Sequence, residues 1–210
     1  MVETKIIKMD PKNPDRKVIW YIAKLVESGG IVVYPTETSY GIGTNAVNVE
    51  AVKRLRKIRK PSGKPISIIV SDVEMMRSYG VITRQIETLV KKFMPGPLTI
   101  VTDRKKTIPD ILNKKEIAFR ISSHPIAAMI AKYAGVPVTA ASANPEGKPP
   151  AFDTKKVMEY FDGKVDVVID VGKLKKRKPS TIIDMKTKEP KLLRKGPISF
   201  SKIKSAIKRL

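Results

Sequence analysis

The chain has 210 residues, of which 41% are hydrophobic, enough for one large domain or two small ones with a real core. It has no cysteine and one histidine, His124, which excludes disulfides and thiolate metal sites and leaves too few nitrogen ligands for zinc. Its formal charge is +22, from 42 basic against 20 acidic residues, and this imbalance favours a polyanionic partner such as a nucleotide, RNA or both.

The length of the apolar segments and the composition of the N-terminal residues indicate where the protein is located. No apolar run approaches the ~18–20 residues that span a bilayer, so no membrane partner is expected. Residues 1–14 are charged and lack the apolar region of a signal peptide, which predicts a cytoplasmic protein. The chain shows no internal repeat and no segment with the composition of a linker, so we predict a single domain over residues 1–210.

The first part of the chain is arranged around a short buried strand. Residues 5–9 form a possible first strand, and an apolar stripe over residues 18–26 predicts an amphipathic helix that ends at two glycines, residues 29 and 30. The β-branched run over residues 31–34 then predicts a buried strand that ends at Pro35. A loop rich in hydroxyl groups follows.

The rest of the chain continues to alternate between strand and helix patterns, though not strictly. Helical stripes are predicted around residues 52–58, 86–93, 125–134 and 203–210. Strands are predicted over residues 66–70, 98–102, 116–122, 136–141, 165–171 and 181–184. This order predicts one α/β domain with a mixed, twisted sheet flanked by helices.

Familiar catalytic motifs are absent from the sequence. Neither GxxxxGK[ST] nor GxGxxG occurs, so no common phosphate loop is predicted. The one candidate base of a triad, His124, precedes Pro125 in a turn, where a histidine is more often structural than catalytic. Glu37 is the only carboxylate in the hydroxyl-rich loop, which does not suggest a pair of catalytic acids.

Polar side chains instead stand where apolar runs begin or end. Open α/β sheets gather their strand ends at one edge, where ligands bind, and arginine forks suit carboxylates and phosphates. Taken singly, each hydroxyl could cap a turn and each arginine could be solvated. The set consists of Thr36, Thr38, Ser142, Asn144, Ser180 and Thr181, with Arg59, Arg120 and Arg194 as cations.

The order of these residues resembles a known family. The chain is similar to the YrdC-like L-threonylcarbamoyladenylate synthases over about residues 29–198, and the several short motifs in the family's order make this resemblance specific. The motifs are YPTET with YGIG at residues 34–43, KIR at 57–59, PGPLT at 95–99, FR at 119–120 with HP at 124–125, SAN at 142–144, PSTIID at 179–184 and LRKG at 193–196.

The resemblance implies an α/β fold around a deep, positively charged cavity. It also implies nucleotidyl transfer: L-threonine, bicarbonate and ATP, with Mg²⁺ accompanying ATP, give threonylcarbamoyl-AMP, pyrophosphate and water. The product would supply the modified adenosine beside the anticodon of tRNA through a separate threonylcarbamoyl transferase complex. The chain ends about where the short form of the family ends, so we expect no long-form C-terminal domain.

The resemblance also implies roles for particular residues. Thr36, Arg120 and Ser180, with backbone at Ala140, are expected to bind L-threonine. Lys57, Arg59 and Ser142 are expected to act in catalysis and, with Lys64, Asn144 and Arg194, to bind ATP. No residue is expected to ligate a metal. Lys60 could share or replace the role of Arg59, because the motif has one extra residue before Pro65.

Two other functions remain open at this point. The chain could be a non-catalytic RNA-binding or ribosome-associated protein that uses the basic cavity, or a related carbamoyl-transfer domain, although those normally belong to much longer chains. In either case much of the excess positive charge lies outside the motifs. The basic segment 173–178 predicts a solvated loop that binds tRNA or another RNA weakly.

Overall fold

The computed structural model describes residues 3–59 and 65–208. Predictions for Lys60 and Lys64 therefore lie outside the described residues. The strands are β1 Lys5–Lys8, β2 Val32–Pro35, β3 Tyr40–Gly43, β4 Ile68–Ile69, β5 Leu98–Asp103, β6 Glu116–Arg120, β7 Val138–Thr139, β8 Ala141–Ser142, β9 Val167–Asp170, β10 Thr181–Asp184 and β11 Lys191–Arg194. The helices are α1 Arg16–Glu27, α2 Val49–Arg59, α3 Val73–Tyr79, α4 Arg84–Phe93, α5 Pro125–Ala134, α6 Thr154–Phe161 and α7 Phe200–Ile207.

The strands form two mixed sheets rather than the single sheet that the sequence suggested. The first has the order β1-β9-β2-β3-β8, in which β9 pairs in parallel with both β1 and β2. The second has the order β11-β10-β5-β6-β4-β7, with parallel pairs β10–β5 and β4–β6. The predicted α/β class is confirmed, with antiparallel and parallel pairing in both sheets.

Local sequence signals explain where the helices begin and end. The Asp15 side chain caps α1 by accepting hydrogen bonds from two backbone N–H groups, and the Thr83 hydroxyl caps α4 by accepting from the backbone N–H of Ile86. The α5 helix begins with Pro125 and ends at Gly135, whose φ of 66° is the left-handed conformation that favours glycine. No helix in the described part of the chain is long and apolar enough to cross a membrane.

The core has two clusters on opposite faces of β2. Val32 and Tyr34 pack with α1 and α5, whereas Val33 points to the main cluster, which also contains residues of the second sheet such as Ile100 and Phe119. This alternation is expected for a strand buried on both faces. The two sheets therefore share one main core.

Three features differ from the sequence-based expectation. The predicted strand 136–141 is divided into β7 and β8, which belong to different sheets. The hydroxyl-rich loop is the turn of a β2–β3 hairpin that the sequence did not predict, although β2 ends at Pro35 as expected, where Pro35 pairs with Tyr40. The short helices α3 and α6 were not predicted, because each is too short to show a strong periodic stripe.

Candidate active site

A cavity of about 530 Å³ lies where the two sheets face each other. Alternate residues of the second sheet face it, such as Thr99 and Val101 of β5 and Ala118 and Arg120 of β6. Leu98 and Ile100, which alternate with Thr99 and Val101 along β5, belong to the hydrophobic core. The period of two along a strand thus gives one sheet a packed face and a ligand-facing face. The volume lies within the range usual for small-molecule sites.

The hairpin turn at residues 36–39 forms one wall of the cavity. The Thr36 hydroxyl donates to the carbonyl oxygen of Ser39 at 2.7 Å and accepts from the backbone N–H of Thr38 at 3.2 Å. Thr36 and Thr38 hydroxyl oxygens are 3.0 Å apart. Both threonines line the cavity and are buried. The turn is therefore fixed by its own hydroxyl groups, as in other short turns rich in Ser and Thr.

Glu37, in the same turn, forms a buried ion pair with Arg120 of β6. Arg120 Nη2 lies 2.7 Å from Glu37 Oε1, and both side chains are about nine-tenths buried, with exposed fractions of 10% and 8%. Ser122 donates to the other carboxylate oxygen at 2.5 Å. Burial alone would raise the pKa of Glu37, but the Arg120 charge and the hydrogen bonds outweigh burial and hold that pKa below its ordinary value.

The pairing leaves Arg120 with donors for a ligand. Its Nε also donates to Glu37, at 3.1 Å, whereas Nη1 makes only a long contact of 3.4 Å with the Thr38 hydroxyl. An arginine carries five N–H donors, so those of Nη1 are the least engaged. We define Thr36, Glu37, Thr38, Arg120 and Ser122 as the buried network.

Ser180 and Arg194 meet where β10 and β11 reach the cavity. Arg194 donates from Nη2 to the Ser180 hydroxyl at 2.9 Å and from Nε to the Ser180 carbonyl at 3.0 Å. Thr99 on β5 lies 2.8 Å from the same hydroxyl. Burial lowers the pKa of the Arg194 guanidinium, and the Arg120 charge lowers that pKa further. Arg120 and Arg194 both line this cavity.

Helix α2 presents two arginines to the cavity, Arg56 and Arg59. Arg56 is held in place by donating to the carbonyl oxygens of Ile111 and Leu112, at 2.8 and 2.7 Å. Arg59 Nε is buried and has no hydrogen-bond partner among the described residues. Burial lowers the pKa of Arg59, an effect that Glu146 opposes and Arg56 reinforces.

Lys57 does not share this position. Its side chain is exposed and is not among the described residues that line the cavity. Residues three apart on a helix share a face, whereas residues two apart do not, so Arg59 can share the cavity with Arg56 but not readily with Lys57. Sequence reasoning missed Arg56, although this spacing was available as a signal.

The break between β7 and β8 brings two further predicted residues to the cavity, Ala140 and Ser142. The Ala140 N–H donates to the Ser67 carbonyl at 2.7 Å, and its carbonyl accepts from the Ser67 hydroxyl at 2.8 Å. Ser142 is exposed toward the cavity from β8. Asn144 does not line it; its amide instead donates to two carbonyl oxygens of the following loop.

His124 is packed beside the buried network rather than in the cavity. Its Nδ1 is buried without a hydrogen-bond partner in the described chain, and its backbone N–H donates to the Ser122 hydroxyl at 3.2 Å. Burial lowers the pKa of His124, and the Glu37 charge opposes this shift. These contacts assign His124 a structural position.

The charge of the cavity wall comes from five arginines and two glutamates among the described residues. One of the two glutamates, Glu116, is paired with Lys186. Arginines fixed in a concave site bind carboxylates and phosphates in preference to neutral groups. The fold and the site therefore define an α/β protein with an arginine-rich cavity for small anionic ligands. The arginines are Arg56, Arg59, Arg120, Arg177 and Arg194.

Comparison with known proteins identifies the family. The Sua5/YciO/YrdC family model, which is described as "Telomere recombination", matches residues 24–196. The chain belongs to this family. A provisionally named threonylcarbamoyl-AMP synthase of Methanocaldococcus jannaschii is 38% identical over 205 residues, which are 96% of this chain and 98% of the relative.

Longer relatives and a solved structure agree with this assignment. The threonylcarbamoyl-AMP synthase of Pyrococcus abyssi is 34% identical over 88% of this chain, which spans 56% of that protein's length. The crystal structure of P. abyssi Sua5 complexed with L-threonine superposes with a TM-score of 0.89 at 31% identity, covering 97% of this chain and 60% of the other. Escherichia coli YciO, uncharacterized by name, superposes with a TM-score of 0.82 at 27% identity, covering 95% of this chain and 98% of its own.

Proposed function

We propose that this protein synthesises L-threonylcarbamoyl-AMP from L-threonine, bicarbonate and ATP, with release of pyrophosphate, as a nucleotidyltransferase. Family membership, the names of the relatives and the threonine complex of a homologue support the proposal. The observation that carries it is the position of Arg120 and of the Ser180–Arg194 pair, which bring two guanidinium groups, one suited to a carboxylate and one to a phosphate, into one cavity.

In this proposal L-threonine binds between the hairpin turn and the second sheet. The carboxylate is held by Arg120 through the N–H groups that Glu37 does not use, and Thr36 and Ser180 orient the amino acid by hydrogen bonds. The Ala140 N–H is already engaged, so its carbonyl oxygen, with a second lone pair, is the backbone group that remains for the threonine amine.

The nucleotide lies between α2 and β11 in this proposal. Arg59 and Arg194 bind phosphates, because both guanidinium groups line the cavity, and Ser142 binds from β8. Arg56 adds positive charge beside Arg59. The exposed Lys57 and the loop-bonded Asn144 are weaker candidates than the sequence suggested, and Lys64 remains a prediction from the motif alone.

Catalysis would come from positioning and electrostatics, without a protein nucleophile. The neutral threonine amine attacks the carbon of bicarbonate, and the tetrahedral adduct loses one of its C–O bonds and releases water to leave the carbamate. A carbamate oxygen then attacks the α-phosphorus of ATP as the bond from that phosphorus to the α,β-bridging oxygen breaks and pyrophosphate leaves. Carboxylate, carbamate and triphosphate repel one another in water, and a cationic cavity offsets this repulsion while it aligns the attack. The arginine-rich wall suits this task.

Mg²⁺ would enter with ATP and help to neutralise its phosphates. No group of three or more His, Asp or Glu side chains that could hold a metal occurs in the described residues. This fits a metal held chiefly by substrate phosphates and water, which is common for Mg²⁺. The adenylate would then pass to a threonylcarbamoyl transferase complex that modifies tRNA.

The test is direct synthesis by the purified protein. Incubation with ATP, Mg²⁺, bicarbonate and labelled threonine should release pyrophosphate and form a labelled adenylate. Omission of bicarbonate is the matched control and should abolish both products. Pyrophosphate release that does not depend on threonine would contradict the proposal, as would binding of RNA without any adenylate formation.

A further inference from the structure

The segment that joins β9 to β10 carries an unusual density of positive charge. We define residues 172–179 as the cationic strap; its cations are Lys173, Lys175, Lys176, Arg177 and Lys178. Sequence reasoning assigned this segment wholly to a solvated surface. The structure divides it, because Arg177 is the one strap cation among the described residues that line the cavity.

Both ends of the cationic strap are fixed to the fold. At its start, the Gly172 carbonyl accepts from the Tyr40 hydroxyl at 2.9 Å, and the Leu174 N–H donates to the Phe152 carbonyl at 2.7 Å. Leu174 also packs against the main core. At its end, Ser180 is 2% exposed and bonded to Arg194. The strap therefore has a defined path along the cavity.

Arg177 differs from Arg120 and Arg194, whose guanidinium groups bond to side chains or carbonyl groups of the protein. Arg120 is paired with Glu37, and Arg194 donates to Ser180. Arg177 is exposed and makes no hydrogen bond or ion pair within the described part of the chain. A guanidinium that contacts a cavity without a protein partner can offer its fork of N–H groups to an anion in that cavity.

The position of Arg177 indicates which part of a ligand it meets. It lies three residues before Ser180, so their Cα atoms are at most about 10 Å apart, and it is exposed while Ser180 is buried. Arg177 is therefore at the mouth of the cavity, on the side of Arg194. A triphosphate whose α-phosphate lies beside Arg194 would extend its outer phosphates toward that mouth.

We propose that Arg177 binds the β- and γ-phosphates of ATP and the pyrophosphate that they become. This inference rests on the proposed function. In the reaction, a carbamate oxygen forms a bond to the α-phosphorus as the bond from that phosphorus to the α,β-bridging oxygen breaks, and the electron pair leaves on pyrophosphate. Arg177 would offset the charge that accumulates on this leaving group.

The binding test compares ligands that differ only in the outer phosphates. Calorimetric titration with ATP, AMP and pyrophosphate, each with Mg²⁺, would be made on the wild type, Arg177→Gln, Arg177→Lys and Lys176→Gln. Lys176 is the matched control, since it is exposed on the same strap and does not line the cavity. Arg177→Gln should weaken ATP and pyrophosphate roughly 10- to 100-fold and leave AMP unchanged. Arg177→Lys should restore part of the loss, and Lys176→Gln should change nothing.

Other outcomes separate this inference from the proposed function. Equal losses for ATP and AMP, or equal effects of Arg177→Gln and Lys176→Gln, would overturn it. If the wild type forms the adenylate but Arg177→Gln leaves the affinity for pyrophosphate unchanged, the inference is overturned and the proposed function stands. If the wild type forms no adenylate but Arg177→Gln still weakens pyrophosphate binding, the proposed function is overturned and the anion-binding role of Arg177 stands.

Discussion

The two sides of the cavity use their arginines differently. In the buried network, Arg120 is fixed by Glu37, and Ser122 and Thr38 complete the arrangement. On the side of α2 and the cationic strap, Arg59 has a buried Nε without a partner among the described residues, and Arg177 is exposed at the mouth. The first arrangement presents a preformed site, and the second presents donors that a ligand would have to satisfy.

This difference has an energetic reason. A buried charge without a partner is costly, so the deeper cation is accompanied by a carboxylate of the protein. At the mouth, water solvates the exposed Arg177, whereas the deeper Arg59 has the charge of Glu146 to oppose the effect of its burial. In the proposed function, the small amino acid occupies the interior and the highly charged nucleotide lies nearer to solvent.

The largest expected effect comes from breaking the buried network. Glu37→Ala leaves Arg120 buried and unpaired, which should lower the free energy of unfolding by about 3–5 kcal/mol. Chemical denaturation measures this loss. Glu50→Ala is the control, because Glu50 pairs with Lys53 in an exposed position and its removal should change stability by no more than about 0.5 kcal/mol. Equal effects of the two substitutions would contradict the distinction between the two sides.

A second prediction concerns ligand binding by Arg120. Arg120→Lys keeps the charge near Glu37 and removes the planar fork, so threonine affinity should fall roughly 10- to 150-fold while ATP affinity changes much less. Titration calorimetry with each ligand alone makes the comparison. Equal losses for threonine and ATP would show that Arg120 does not select the amino acid.

A third prediction separates two neighbours on α2. Arg59→Ala should lower turnover roughly 10- to 100-fold without changing threonine affinity, because a charge-assisted contact to phosphate is lost. Lys57→Ala should have a smaller effect, since Lys57 is exposed outside the cavity lining. A larger effect of Lys57→Ala would restore the role that the sequence motif implied and place the nucleotide on a different face of α2.

A fourth prediction concerns exposed cations of the cationic strap that do not line the cavity. If Lys175, Lys176 and Lys178 bind RNA, each phosphate contact contributes roughly 0.7–0.9 to the slope of log affinity against log salt. Neutralising the three lysines should therefore make that slope less steep by about 2 to 3. Adenylate formation should vary much less between about 50 and 200 mM salt. Absence of RNA binding at low salt would leave the charge of +22 without a nucleic-acid explanation.

The smallest expected effect is a pH dependence from His124. Burial lowers its pKa in the folded protein below the ordinary value of 6.5. The unfolded chain therefore binds a proton first as the pH falls below about 6.5, so stability is lost on acidification and is fully present above that pH. The free energy of unfolding should decrease between pH 7.5 and 5.5 in the wild type. His124→Gln should remove this decrease, and an equal decrease in both would assign it to other groups.

Much of the architecture could be predicted from local patterns. The α5 helix has the predicted bounds, 125–134, because a proline at its start and a glycine after its end mark both termini. The β10 strand also has its predicted bounds, 181–184, since an apolar run bounded by polar residues suffices to define it. The spacing of apolar residues predicts which face of a helix or strand will be buried, and that spacing is contained in the local sequence.

The site depended on contacts that no local pattern contains. Ser180 and Arg194 are fourteen residues apart, and Glu37 and Arg120 are much further apart, yet each pair is joined by hydrogen bonds across the fold. The sequence identified three of these four residues through a family resemblance and left Glu37 without a role. Its partner lies on a strand of the other sheet, and only sheet packing brings the two together.

The sequence by itself determined the α/β class, most elements and the basic character of the protein, because composition and periodicity depend on each residue's own chemistry. Tertiary structure decided that the strands form two sheets, that the segment around Ala140 crosses between them, and that Arg177 faces the cavity while its neighbours on the cationic strap do not. These outcomes depend on which surfaces meet, and a side chain's neighbours across a cavity are fixed only when distant segments pack against one another.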